Sequence, residues 1–132
     1  MKTRIRWGRV VLAAVAAEAA VILLIVAINA IRPEYGEWAG SHVAPPASAV
    51  ATFLMVLWVA RKLESGFVLH GILVGLAGVV LTGGFIFAAK SEDRLMYGVS
   101  FVLRIIGGYL GGVVARRLAD RRQDRLSYLP TK

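Results

Sequence analysis

The sequence predicts an all-α integral membrane protein, a four-helix bundle with both termini on the cytoplasmic side. Three observations carry that prediction. The apolar residues gather into four long, nearly uncharged blocks rather than recurring at the periods that mark soluble strands and helices. Hydrophobic residues make up 58% of the 132 residues and mean hydropathy is +0.67, the composition of a chain whose solvent is lipid. Basic residues collect at alternate junctions between the blocks. A chain of this length holds one domain, residues 1–132.

The first span is predicted over residues 10–31, broken only by Glu18 and Asn29 and long enough for about 30 Å of helix. Lys2, Arg4, Arg6 and Arg9 precede it as the charged region of a signal peptide would. Its apolar stretch exceeds the roughly 7 to 15 residues of a signal core and carries a carboxylate mid-way, so a retained span is expected. A turn-rich stretch from Pro33 to Ser41 follows. Pro45 and Pro46 then suit the start of the second span, residues 45–61, because a first helical turn leaves its amide donors unpaired anyway. This is the shortest span, and Trp58 beside Arg61 and Lys62 reads as an interfacial anchor.

The third span, residues 66–89, contains His70, and the fourth, residues 95–115, contains Arg104. Tight connections at 63–65 and 90–94 predict that the second, third and fourth helices are antiparallel neighbours. Four basic residues precede the first span, two separate the second from the third, and six follow from Arg116 onward. The opposite side holds one, Arg32, and two, Lys90 and Arg94. Twelve against three places both termini in the cytoplasm of a bacterial-type inner membrane. Glu34, Glu37, Glu92 and Asp93 fall on the outer side. The basic tail, residues 116–132, interleaves Leu118, Ala119 and Leu126 with arginines, as a helix extending into the headgroup layer would.

In lipid, helices approach closely where small residues allow it. Gly71, Gly75, Gly78 and Thr82 form a small stripe on the third helix, and Gly107, Gly108, Gly111, Gly112 and Ala115 form one on the fourth. Ala13, Ala16, Ala17 and Ala20 offer a similar face on the first. These stripes are read as packing surfaces, within the bundle or between protomers, and Gly83-Gly84 as a kink or loosening point.

Glu18, nine residues inside Arg9, lies roughly 13 Å above the cytoplasmic boundary. Arg104, twelve residues before Arg116, lies roughly 18 Å above it on an oppositely directed helix. His70 lies lower, at roughly 9 Å. The three form the predicted intramembrane polar cluster. An isolated charge at midplane costs at least about 2.5 to 3.5 kcal/mol, so Glu18 and Arg104 call for a partner or a wet cavity. One reading is a structural ion pair between the first and fourth helices. The other is a proton-accepting Glu18 that faces a cavity and couples to a solute, with Arg104 adjusting it or binding an anion. Asn29, Thr82 and Ser100 read as structural hydrogen-bonding groups.

With no cysteine and only His42 and His70, disulfides, iron-sulfur clusters and multi-histidine metal sites are not expected, nor is any cofactor. The net charge of +8 flanks apolar blocks instead of interleaving with aromatics, so anionic lipid headgroups, not nucleic acid, are the expected partner of the basic termini. No Gly-x-Ser-x-Gly elbow, His-Glu-x-x-His or P-loop is present, and no enzymatic activity is expected. A homo-oligomer or a membrane-protein partner is.

The layout of four short helices with Ala17-Glu18 inside the first, over Leu12 to Ala20, resembles the small multidrug resistance transporters. That resemblance implies an antiparallel dimer whose first-helix glutamate binds proton and cationic drug in competition. The present chain departs from it in bearing Arg104, in lacking a tryptophan in the third helix, and in a charge bias that fixes one topology. The glycine-rich stretches Leu69 to Leu76 and Ile106 to Gly112 resemble those of uncharacterised four-helix bacterial inner-membrane proteins, which implies the same architecture.

Overall fold

The computed structural model describes residues 5–89 and 94–127. Those residues are helical in four long elements with no strand among them: α1 Trp7–Ile31, α2 Ala44–Ala60, α3 Phe67–Ala89 and α4 Arg94–Ser127. All four lie in runs long and apolar enough to cross a membrane.

Helix α1 stops where Pro33 dictates. The residue before a proline is driven out of the helical region, and Arg32 sits at φ −140°, ψ 79°, its amide still donating to the Ile28 carbonyl at 2.8 Å. The expected turn-rich stretch is instead helical, in three short pieces: a 3-10 turn Pro33–Tyr35, an α turn Gly36–Trp38 and a π-helical turn Ala39–Val43. Trp38 and His42, one turn apart, stack with centroids 5.5 Å apart. The wide turn has a cause in Pro45 and Pro46, which offer no amide to the carbonyls four residues back and would clash with them. Ala44 N–H reaches back five residues to the Ala39 carbonyl, and α2 begins from there. Pro33–Ala60 is thus one continuous helical run of 28 residues, of which α2 makes up 17.

Gly66, at φ 70°, makes the left-handed turn that starts α3, and its carbonyl accepts from His70 N–H at 3.0 Å. Helix α3 continues unbroken past Gly83-Gly84, around which the side-chain positions are open. The connection carrying Glu92 and Asp93 lies outside the described residues, as do Lys2, Arg4 and the chain end 128–132. Helix α4 runs well beyond its apolar part, through Arg116 to Ser127.

The helices form a square. α4 packs on α2 and on α3, and α1 packs on the same two, so α1 and α4 stand on one diagonal. α2 and α3 occupy the other and touch only sparsely, although a short turn joins them. The expected α2–α3 contact is present but slighter than the contact of either helix with α4: six connecting residues reach about 20 Å, and both helices are drawn to the glycines of α4.

Those glycines divide into two tracks. A methyl group at Gly107 would strike the Ala49 carbonyl, and one at Gly111 would lie 3.0 Å from the Phe53 carbonyl, both on α2. At Gly108 it would strike Gly71, and at Gly112 it would lie 2.6 Å from the Val68 Cα, both on α3. Among the described residues the buried hydrophobic ones are all alanine or valine: Val10, Ala13, Ala14, Ala17, Val21, Ala39, Val56, Val59, Ala60, Val74 and Ala115. Leucines, isoleucines and tryptophans such as Leu23, Ile22, Leu54 and Trp58 point outward. A protein in water sorts these residues the other way; this order suits a molecule bathed in lipid, where contact depends on fit between backbones. On α1 the inward face includes Ala14 and excludes Ala20, which is exposed.

Candidate functional site: a braced ion pair beneath a cavity

Glu18 follows Ala14 and Ala17 on the inward face of α1, half-way along the helix. Arg104 lies on α4 one turn after the buried Ser100 and one turn before Gly107 and Gly108. The two helices are diagonal partners, and their side chains close the gap. Arg104 Nη1 pairs with Glu18 Oε1, and Nη2 donates to Oε2 at 3.1 Å, a two-pronged arginine-carboxylate contact. The side chains are 5% and 13% exposed respectively, so water contributes little to either charge.

Helix α3 makes room for the pair and holds it. A Cβ at Gly78 would lie 3.2 Å from Arg104 Nη1, and one at Gly75 would lie 3.0 Å from the Arg104 carbonyl. Without a side chain in the way, the Gly78 carbonyl accepts from Arg104 Nη1 at 3.2 Å. The Thr82 hydroxyl donates to Glu18 Oε1 and also lies 3.0 Å from the Gly78 carbonyl. A hydroxyl has one proton to give, so Thr82 serves the carboxylate or the backbone at any moment. Arg104 Nε is buried without a hydrogen-bond partner.

A cavity of about 680 Å³ reaches down to this pair from the end of the bundle that holds Glu37. Val21, Ile22, Ile25 and Met96 give it apolar walls, while Glu18, Thr82 and Arg104 lie at its inner end. Gly40, Ser41 and Pro45, from the π-helical turn and the start of α2, form part of the rim. Ser100 lines it as well and lies 3.3 Å from the buried Ser48 hydroxyl, which donates to the Pro45 carbonyl at 2.7 Å.

No family model, curated protein or solved structure matches this chain. Its site therefore rests on its own geometry.

Of the three residues grouped by depth in the sequence, the structure joins Glu18 and Arg104 and sets His70 apart. His70 is 1% exposed at the opposite end of the bundle. Its Nε2 accepts from the Arg6 backbone N–H at 3.2 Å and its Nδ1 lies 2.9 Å from the Gly66 carbonyl, so a proton on Nδ1 satisfies both contacts. Arg6 is twelve residues from Glu18, about 18 Å along α1. Arg9 Nη1 donates to the Lys62 carbonyl at 3.1 Å nearby, and the two contacts fasten the start of α1 to the α2–α3 turn. Sequence reasoning did not assign Ser48 or the service of Gly78 to Arg104. Spacing alone gives a glycine one appearance whether it faces a helix or a guanidinium.

Proposed function

We propose that this chain is a non-enzymatic multi-pass protein of a bacterial-type cytoplasmic membrane, self-associating or accessory to a larger complex, in which Glu18 and Arg104 act as a structural clamp. The observation that carries the reading is the occupation of both Glu18 oxygens by Arg104 and Thr82 across the bundle diagonal. A cationic solute would have to displace Arg104 to reach that carboxylate. The distribution of basic residues, twelve against three, supports both termini being cytoplasmic.

A double-mutant cycle in bicelles tests the clamp, comparing unfolding free energies of wild type, Glu18→Gln, Arg104→Gln and the double variant. Each single change strands a buried charge or dipole and is expected to cost about 3 to 5 kcal/mol. The double variant should cost less than the sum, with a coupling above about 1 kcal/mol. Folded single variants with no coupling would remove the structural role.

The cavity favours a second reading, a proton-coupled small-solute transporter using Glu18, because its inner end reaches that carboxylate. Solute flux in vesicles that follows the pH gradient and vanishes in a folded Glu18→Gln variant would establish it. Absence of flux together with loss of assembly in that variant would favour the clamp.

A further inference from the structure

A second hollow, of about 420 Å³, lies at the other end of the bundle, where α4 overshoots the end of α2 and the start of α3. We propose that it is a binding site for one anionic phospholipid. The inference rests on the reading of the chain as a membrane protein and is independent of what Glu18 does.

The placement follows from helix lengths. α2 ends at Ala60 and α3 begins at Phe67, while α4 continues to Ser127. The overshooting helix turns one face toward the α2–α3 turn, with Ala115, Leu118, Ala119, Arg122 and Gln123 spaced as neighbours on a helix surface. Leu57 and Phe67 close the apolar part of the hollow, and partly buried Leu63 lies against the bundle core. Arg61 and Arg122 stand at its polar part, with Gln123 beside them. Glu64 also lines it; Glu64, Arg61 and Arg122 are all exposed, so solvent screens the three alike and the two guanidinium groups leave the mouth net positive.

Charge and depth together select the occupant. The apolar walls begin inside the span, at Leu57 next to half-exposed Trp58, and the basic groups lie one to two turns farther out. A phospholipid has the same order along its length: acyl chain, glycerol, then phosphate. Two arginines suit a phosphodiester, since each guanidinium presents paired donors to phosphate oxygens. Lys62, Arg116, Arg117 and Arg121 lie close by in sequence and outnumber Asp120 and Asp124, so the surroundings of the hollow stay net positive although none of these residues lines it. An acidic peptide would meet the charges but not the apolar walls, which are half-buried at Leu57, Leu63 and Phe67 and exposed at Leu118.

Native mass spectrometry of the full chain released from mild detergent reads the site directly, with phosphatidylglycerol and phosphatidylcholine of identical acyl chains as probes. One phosphatidylglycerol is expected to be retained, and each of Arg61→Gln and Arg122→Gln should weaken its retention about fivefold. Arg117→Gln and Arg121→Gln, made singly, each remove the same one charge away from the hollow and should leave the preference in place. Leu118→Trp, which fills the apolar wall, should lower retention of the lipid with every charge intact. Equal loss in either off-site variant would reduce the effect to diffuse surface attraction and overturn the site. Displacement of the lipid by millimolar inorganic phosphate, or retention of phosphatidylcholine to the same extent, would overturn it as well. A failure here leaves the Glu18–Arg104 cycle untouched, and the converse holds.

Discussion

Thr82 shows how much one hydroxyl can carry in this molecule. It donates to Glu18, and its alternative acceptor is the Gly78 carbonyl that already receives Arg104. Thr82→Val keeps the shape and removes the donor, leaving a carboxylate oxygen short of one partner; an expected cost of about 1 to 3 kcal/mol would be read from unfolding in bicelles. Thr82→Ser should restore most of it. Gly78→Ala sets a methyl 3.2 Å from Arg104 Nη1, and it should destabilise by about 1 to 3 kcal/mol, less when Arg104 is already glutamine. At this scale the sequence was legible where depth decides. Glu18 and Arg104 lie about one helical turn apart by residue counting, and a long side chain covers that difference. His70 was grouped with them because depth along a helix says nothing of which way the side chain faces or what else lies near. Its partners are a backbone amide and a backbone carbonyl, and backbone groups leave no mark in a sequence.

Between elements, the glycines of α4 matter in pairs. Gly107 and Gly111 admit α2, while Gly108 and Gly112 admit α3, and an added methyl would meet backbone at Gly107, Gly108 and Gly112. Gly108→Ala is expected to destabilise the fold by about 1 to 3 kcal/mol, whereas Gly83→Ala, which meets nothing, should be neutral or stabilising by up to about 1 kcal/mol. Thermal unfolding of the two variants side by side checks the contrast. Spacing at three and four identified the stripe, but a stripe of four glycines can face one neighbour or two. The square arrangement settles it, and that arrangement depends on contacts distant in sequence. The segment between α1 and α2 departs from its sequence pattern for a local reason: Gly36, Gly40 and the prolines carry turn propensity, yet a π-helical turn accommodates Pro45 without ending the helix.

For the whole molecule, four spans were legible because uninterrupted apolar length is the strongest signal a sequence carries. The proposed orientation is testable through a feature of composition. The chain has no cysteine, so a single introduced one is labelled alone. A membrane-impermeant maleimide should label Trp38→Cys in intact cells and Gln123→Cys only after lysis; the reverse pattern would invert the topology. The inward placement of alanine and valine gives a second expectation, that stability follows the match between helix length and bilayer thickness more than any gain from leaving water.

A square frame with one diagonal tied resists shear along that diagonal and keeps its freedom along the other. Glu18 and Arg104 tie α1 to α4. The α2–α3 diagonal has helix contact, though less than the sides of the square, and no ion pair crosses it among the described residues. If the cavity widens, α2 and α3 are the helices that separate, while α1 and α4 hold their distance. Spin labels across each diagonal should therefore report a broad distance distribution for α2–α3 and a narrow one for α1–α4, and Arg104→Gln should broaden the second.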